Sequence, residues 1–168
     1  LLIFGLLEFA VMATIKRKTA RTRQFGGFSP FGNATSLVYS LLTNSTGAVI
    51  DSDSTAAVAV GDVIDLGELP EGMQLEDAQV IVSTGMTEAI KGNLGFKYTG
   101  SDSADVPQDA SYFLKDGDLA TVGRVRANGS KLVTLPKPAR LILTVSGAAN
   151  AKASEIQIIV TGELKGPR

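Results

Sequence analysis

The sequence predicts an all-β protein, a single sandwich or barrel preceded by an extended N-terminal arm. Three observations lead there. Apolar and polar residues alternate with period two in several separate runs, the mark of half-buried strands. Gly, Pro, Asn and Asp punctuate these runs at roughly the 8–12-residue spacing of sandwiches and barrels. No segment holds a 3.6-residue period for three turns, and only Gly147–Ser154 (GAANAKAS) briefly tolerates helix. The 168 residues, 44% of them hydrophobic, suffice for one domain with a real core.

The first element, Leu1–Val11 (LLIFGLLEFAV), is apolar but interrupted by Glu8. It is shorter than the roughly 20 apolar residues a bilayer span requires. A secretory signal places its cations before the apolar run, whereas here they follow it. Met12 is therefore expected to be the natural first residue, with Leu1–Val11 as translated upstream sequence; a short segment buried at an interface is the alternative. Residues 12–24 then carry five cations, Lys16, Arg17, Lys18, Arg21 and Arg23, and no acid. Gln24–Gly32 (QFGGFSPFG) is too glycine-rich for a strand interior and spaces Phe25, Phe28 and Phe31 three apart. Residues 1–34 read as an arm and 35–168 as the folded body. The five cations and three rings are the candidate partner-binding residues, and the arm is expected to be removable without unfolding the body.

Within the body, Ser36–Leu42 (SLVYSLL) reads as a strand, closed by the turn residues Asn44–Gly47 before Ala48–Ile50 resumes. Thr55–Gly72 reads as a long strand region ending in the turn Pro70-Glu71-Gly72. Met73–Met86 is another strand. Asn93–Gly100 (NLGFKYTG) alternates cleanly, with Leu94, Phe96 and Tyr98 on one face and Gly95, Lys97 and Thr99 on the other. Ser101–Asp118 is polar, contains Pro107, and reads as a long excursion or loop. Lys131–Gly147 restores alternation through Leu141, Leu143 and Val145, and Ser154–Leu164 turns Ile156, Ile158 and Val160 inward. About eight strands result. Leu69–Gly85 and Leu135–Gly147 echo each other, each opening Leu-Pro and closing in Ser and Gly, as equivalent strands of two sheets would.

Composition narrows the chemistry. The chain has neither cysteine nor histidine. Disulfides, thiolate or imidazole metal ligands, and Ser-His-Asp or Cys-His nucleophilic sites are thereby excluded. The net charge of −1 conceals segregation: residues 51–118 hold 14 acids against Lys91, Lys97 and Lys115, a balance of −11, while residues 119–168 balance at +6. A basic arm and an acidic band suit contacts between copies or with a charged neighbour.

Asp51 with Asp53, Asp102 with Asp105, and Asp116 with Asp118 put oxygen ligands near turns, as calcium sites do, but match neither an EF-hand nor a glycine-rich calcium repeat. No Walker loop, GxGxxG or HExxH occurs. The basic run lacks interleaved stacking residues, so no specific nucleic-acid recognition is expected. No catalytic residue, cofactor, small-molecule substrate or membrane contact is expected either. A carbohydrate-binding sandwich, for which Tyr98 and Tyr112 would be the platforms, is poorly supplied in a chain without tryptophan.

The stretch VGDVIDLGELPEGMQLEDAQVIVSTGM, followed by LGFKYTG and later by LPKPARLILTVSGAANAKASEIQIIVTGEL, resembles the capsid decoration, or cement, proteins of tailed bacteriophages, over about Val60 to Leu164. The resemblance implies a jelly-roll-like or related β-sandwich that binds the outside of the virion's capsid as a homodimer or homotrimer. It would bridge major capsid protein subunits there and occupy the host cytoplasm during assembly. A tail, baseplate or head-fibre protein is the alternative, and a carbohydrate-binding module the second. The basic and aromatic arm has no counterpart in the resemblance.

Overall fold

The structure, a computed structural model, describes residues 12–17 and 34–165. Ten strands follow one another: β1 (Thr14–Lys16), β2 (Ala34–Thr43), β3 (Val63–Leu69), β4 (Met73–Thr84), β5 (Lys91–Tyr98), β6 (Asp109–Asp118), β7 (Gly123–Arg126), β8 (Val133–Thr134), β9 (Ala139–Ser146) and β10 (Ser154–Leu164). They form two sheets. Sheet I runs β1-β3-β9-β5-β6, and sheet II runs β2-β10-β4-β7 with β8 also on β4. The described residues contain no helix, so the all-β sandwich predicted above is what the chain builds.

Alternation explains the layering. Leu141, Leu143 and Val145 of β9, and Leu94, Phe96 and Tyr98 of β5, turn inward from sheet I. Ile156, Ile158 and Val160 of β10 meet them from sheet II. Each such side chain contributes about 1.5–3 kcal/mol by leaving water. In β4 the inward set is Met73 and Leu75, then Ala78, Val80 and Val82. The phase change falls at Glu76–Asp77, where the pairing with β10 slips between Thr161 and Gly162. A bulge of this kind keeps both halves of a long strand facing the core. Edge-to-face rings fill the centre of sheet I's inner side, Phe96 with Tyr98 at 5.6 Å and with Tyr112 at 5.5 Å.

The two echoing segments become β4 and β9, each an interior strand of a different sheet. Three readings change. Residues 101–108 form a loop, but Asp109–Asp118 is β6, an edge strand whose inward residues Phe113 and Leu114 are buried while its polar residues face solvent. Its composition is that of an edge, wet on most sides. Second, of the long region from Thr55 only Val63–Leu69 is strand; Val58 packs into the core from a loop. Third, Thr14–Lys16 is not free chain: it is an edge strand of sheet I, and Ile15 lies in the core at 2% exposure. Removing residues 13–24 would therefore take a strand from the body.

Candidate functional site

Thr14 and Ile15 are β-branched and suit extended backbone. They enter a slot that satisfies the strand from both sides. On one side β1 pairs with β3, with Thr14 opposite Val63, Ile15 opposite Ile64 and Lys16 opposite Asp65. This is the one parallel pairing among the described strands. On the other side the Lys16 amide donates to the Asp53 carboxylate at 3.0 Å, and the Asp53 amide donates to the Lys16 carbonyl at 2.9 Å. At the strand's start the Ala13 amide donates to Asp62, whose second oxygen accepts from the Ala59 amide at 2.9 Å. Arg17 bridges to Ser52 and donates from Nη1 to the Ser40 carbonyl on β2, so the segment hooks from one sheet to the other. The Arg17 Nε is buried without a hydrogen-bond partner, a local cost of about 1–3 kcal/mol.

β1 also forms one bank of a groove of about 430 Å³ on the outer face of sheet I. Thr14 and Lys16 line that bank, Asp65, Arg140, Ile142 and Thr144 line the floor, and Lys97, Thr99 and Ala110 close the far side. The far wall depends on Gly95. A β-carbon there would sit 2.0 Å from the Asp109 carbonyl, so only glycine lets the bulged start of β6 cross β5 this closely. Arg140 Nε lies 3.0 Å from each Asp65 oxygen, and Nη2 adds a third contact at 3.0 Å. Asp65 is 7% exposed, so its charge is committed to Arg140. Lys97 sits directly opposite Arg140 in the β5–β9 ladder, and Lys16 and Lys97 are exposed. The groove thus holds three cations against one acid and favours an anionic partner.

The outer face of sheet II is different. Val38 and Leu42 on edge strand β2 are 55% and 39% exposed, and Ile50 beside them is 47% exposed. Ile159 lies across from Val38 in the ladder. At the opposite edge of the same sheet, beyond β10 and β4, β7 carries Arg124 and Arg126, the latter paired with Asp77 at 2.8 Å. The Asp77 carboxylate holds the Arg126 guanidinium more firmly protonated than usual, first through its hydrogen bond and then through its charge.

Of the turn acids, Asp53, Asp102 and Asp118 serve the backbone. Asp102 accepts from the Ser103 and Gln108 amides, and Asp118 from the Ala120 and Thr121 amides. Hydrogen bonds from Thr121 and Ala120 push the Asp118 carboxyl below its ordinary range. Among the described residues no group of three or more His, Cys, Asp or Glu side chains gathers as a metal site would need. Tyr98 and Tyr112, the platforms of the carbohydrate reading, turn their hydroxyls to the Val106 carbonyl and to the Leu75 and Lys131 carbonyls. Tyr98 is 3% exposed. The Tyr112 ring packs edge to face with Phe96 and Phe113.

Of the candidate arm residues, Lys16 reaches the groove and Arg17 the β2 edge. Lys18, Arg21, Arg23, Phe25, Phe28 and Phe31 lie outside the described residues. Asp62, Lys97 and Arg140 were not singled out from the sequence as site residues, and Asp53 was named there only as an oxygen ligand near a turn. The charge segregation marked the acidic band in which Asp53 and Asp62 lie, without choosing among its 14 acids; nothing local marked Lys97 or Arg140.

No family model matches the chain, and neither does any curated protein sequence. Solved structures do. Over 92% of its length the chain is similar to 99% of a chain in the capsid of Ralstonia phage GP4, with a TM-score of 0.64 at 16% identity. The fold is one found in bacteriophage capsids. A chain of the cyanophage Pam1 capsid asymmetric unit is similar over 94% of its own length and 87% of this one, with a TM-score of 0.54 at 19% identity. At such identities the likeness establishes a common architecture.

Proposed function

We propose that this chain is a non-enzymatic structural protein of a bacteriophage virion. It binds the outer surface of the capsid as a homo-oligomer and stabilises contacts between major capsid protein subunits. The observation that carries this reading is the sandwich that matches nearly the whole of a GP4 capsid chain. A chain without histidine or cysteine suits adhesion, and many weak contacts repeated on a lattice multiply modest affinities. The cationic groove and the apolar stripe of β2 supply two such contacts on opposite faces of the sandwich.

The test is co-sedimentation with heads, read as the copy ratio to the major capsid protein. Unaltered protein is expected to co-sediment at a fixed ratio; its absence from heads would end the virion reading. Lys16→Glu combined with Lys97→Glu is expected to lower occupancy about fivefold or more at low salt and progressively less as salt rises, since exposed charges are screened. Both side chains are exposed, so the fold is expected to survive the change.

A further inference from the structure

We propose that copies of this chain exchange β1, so that residues 13–17 of one copy fill the slot formed by Asp53, Asp62 and β3 of another. The slot and its occupant are separable pieces. β1 has three residues, stands at the edge of sheet I, and draws its partners from Ser40, Ser52, Asp53, Asp62 and β3. Short edge elements with few neighbours open at the lowest cost. The unpartnered Arg17 Nε weakens the hold further.

The length of the intervening chain sets the reach. Sixteen residues, 18–33, join Arg17 to Ala34. The Arg17 guanidinium meets β2 at Ser40, six residues along the strand from Ala34, or roughly 20 Å at about 3.3 Å per residue. Fully extended, the connection spans about 56–61 Å. It therefore has more than twice the length that a return to its own body needs, the slack that seating β1 in a second copy calls for. Charge favours the same occupant: the arm carries five cations and no acid, and the slot opens in the stretch whose balance is −11. Every contact of β1 is available unchanged from a second copy, which is the condition for exchange of an identical element. Closed rings or dimers formed this way tie neighbours together through their cores, because Ile15 is buried.

The exchange needs no capsid, so its test stands apart from coat binding. Thr14 and Val63 are register partners on the outer side of sheet I, and the chain contains no other thiol. Single variants Thr14→Cys and Val63→Cys are unfolded together, refolded as a mixture and oxidised. A reducible dimer of twice 17.5 kDa, at least about fivefold stronger than from either variant alone, is expected. No dimer above the single-variant background would overturn exchange. Where either variant fails to fold, unaltered chain serves: a refolded mixture of heavy-isotope and ordinary copies is joined by a zero-length carbodiimide. Peptides linking Lys16 to Asp53 or Asp65 should be about half mixed in isotope; linked peptides of one isotope only would overturn exchange.

Discussion

Among the described residues, Asn150 does more than any other polar side chain to hold one end of the sandwich. It is 1% exposed, and its amide nitrogen donates to the Thr43 hydroxyl at 3.1 Å and to the Lys152 carbonyl at 2.9 Å. Its oxygen accepts from the Thr87 amide and hydroxyl, each at 3.2 Å. Thr43 meets Ser154 at 2.7 Å, so one amide ties three segments of the chain. Asn150→Ala leaves several of these groups buried and unpaired and is expected to cost about 2–4 kcal/mol, read from urea unfolding. None of this was legible in the sequence, where Asn150 lies in the segment Gly147–Ser154 that looked tolerant of helix. Hydrogen-bond partners about 107 residues apart leave no local trace.

Among the elements, strands with a strict two-residue rhythm were readable: β5, β9 and β10 bury the residues their alternation assigns inward. Strands governed by their position in the sheet were not. β6 is half polar because it is an edge, and β7, two of whose four residues are arginine, pairs only through β4. β1 lay inside a basic run, where charge masked the single isoleucine that decides its place. Lys16 and Arg17 were legible as candidate contacts by charge alone, but the groove needs Lys97 and Arg140 from strands far away in sequence. The β5–β6 crossing yields a prediction at this scale. Gly95→Ala drives a methyl into the Asp109 and Ala110 backbone and is expected to cost about 1–3 kcal/mol while lifting Ala110 from the groove, seen as lower thermal stability and shifted amide resonances for residues 109–112.

For the molecule as a whole, tyrosine hydroxyls link distant parts of the sandwich. Tyr39 on β2 donates to the Glu68 carbonyl on β3 at 2.7 Å, and Tyr112 on β6 reaches the Leu75 carbonyl on β4, so both join one sheet to the other. Burial pushes the Tyr39, Tyr98 and Tyr112 phenols above their ordinary value of about 10. For Tyr39 the nearby Arg140 opposes this; for Tyr98 the charge of Asp102 adds to it. The sign follows directly. Below about pH 10 the phenols are neutral in both folded and unfolded chains and cost nothing. Above it the unfolded chain ionises first, so stability falls as pH rises toward the folded values. Without histidine, no side chain's ordinary value lies near neutrality. Unfolding free energy is expected to vary little from about pH 6 to 9 and to drop steeply beyond about pH 10. Tyrosinate absorbance should appear together with loss of β-sheet circular dichroism.

One bank of the sheet I groove is the strand proposed above to exchange, since Thr14 and Lys16 belong to β1. Linkage makes the two events reciprocal: a guest that touches that bank binds more tightly while the strand is seated, and by the same factor it keeps the strand seated. Loading the surface would then tighten the mooring beneath it, and a shell assembled on such links would resist parting most where it is most fully occupied.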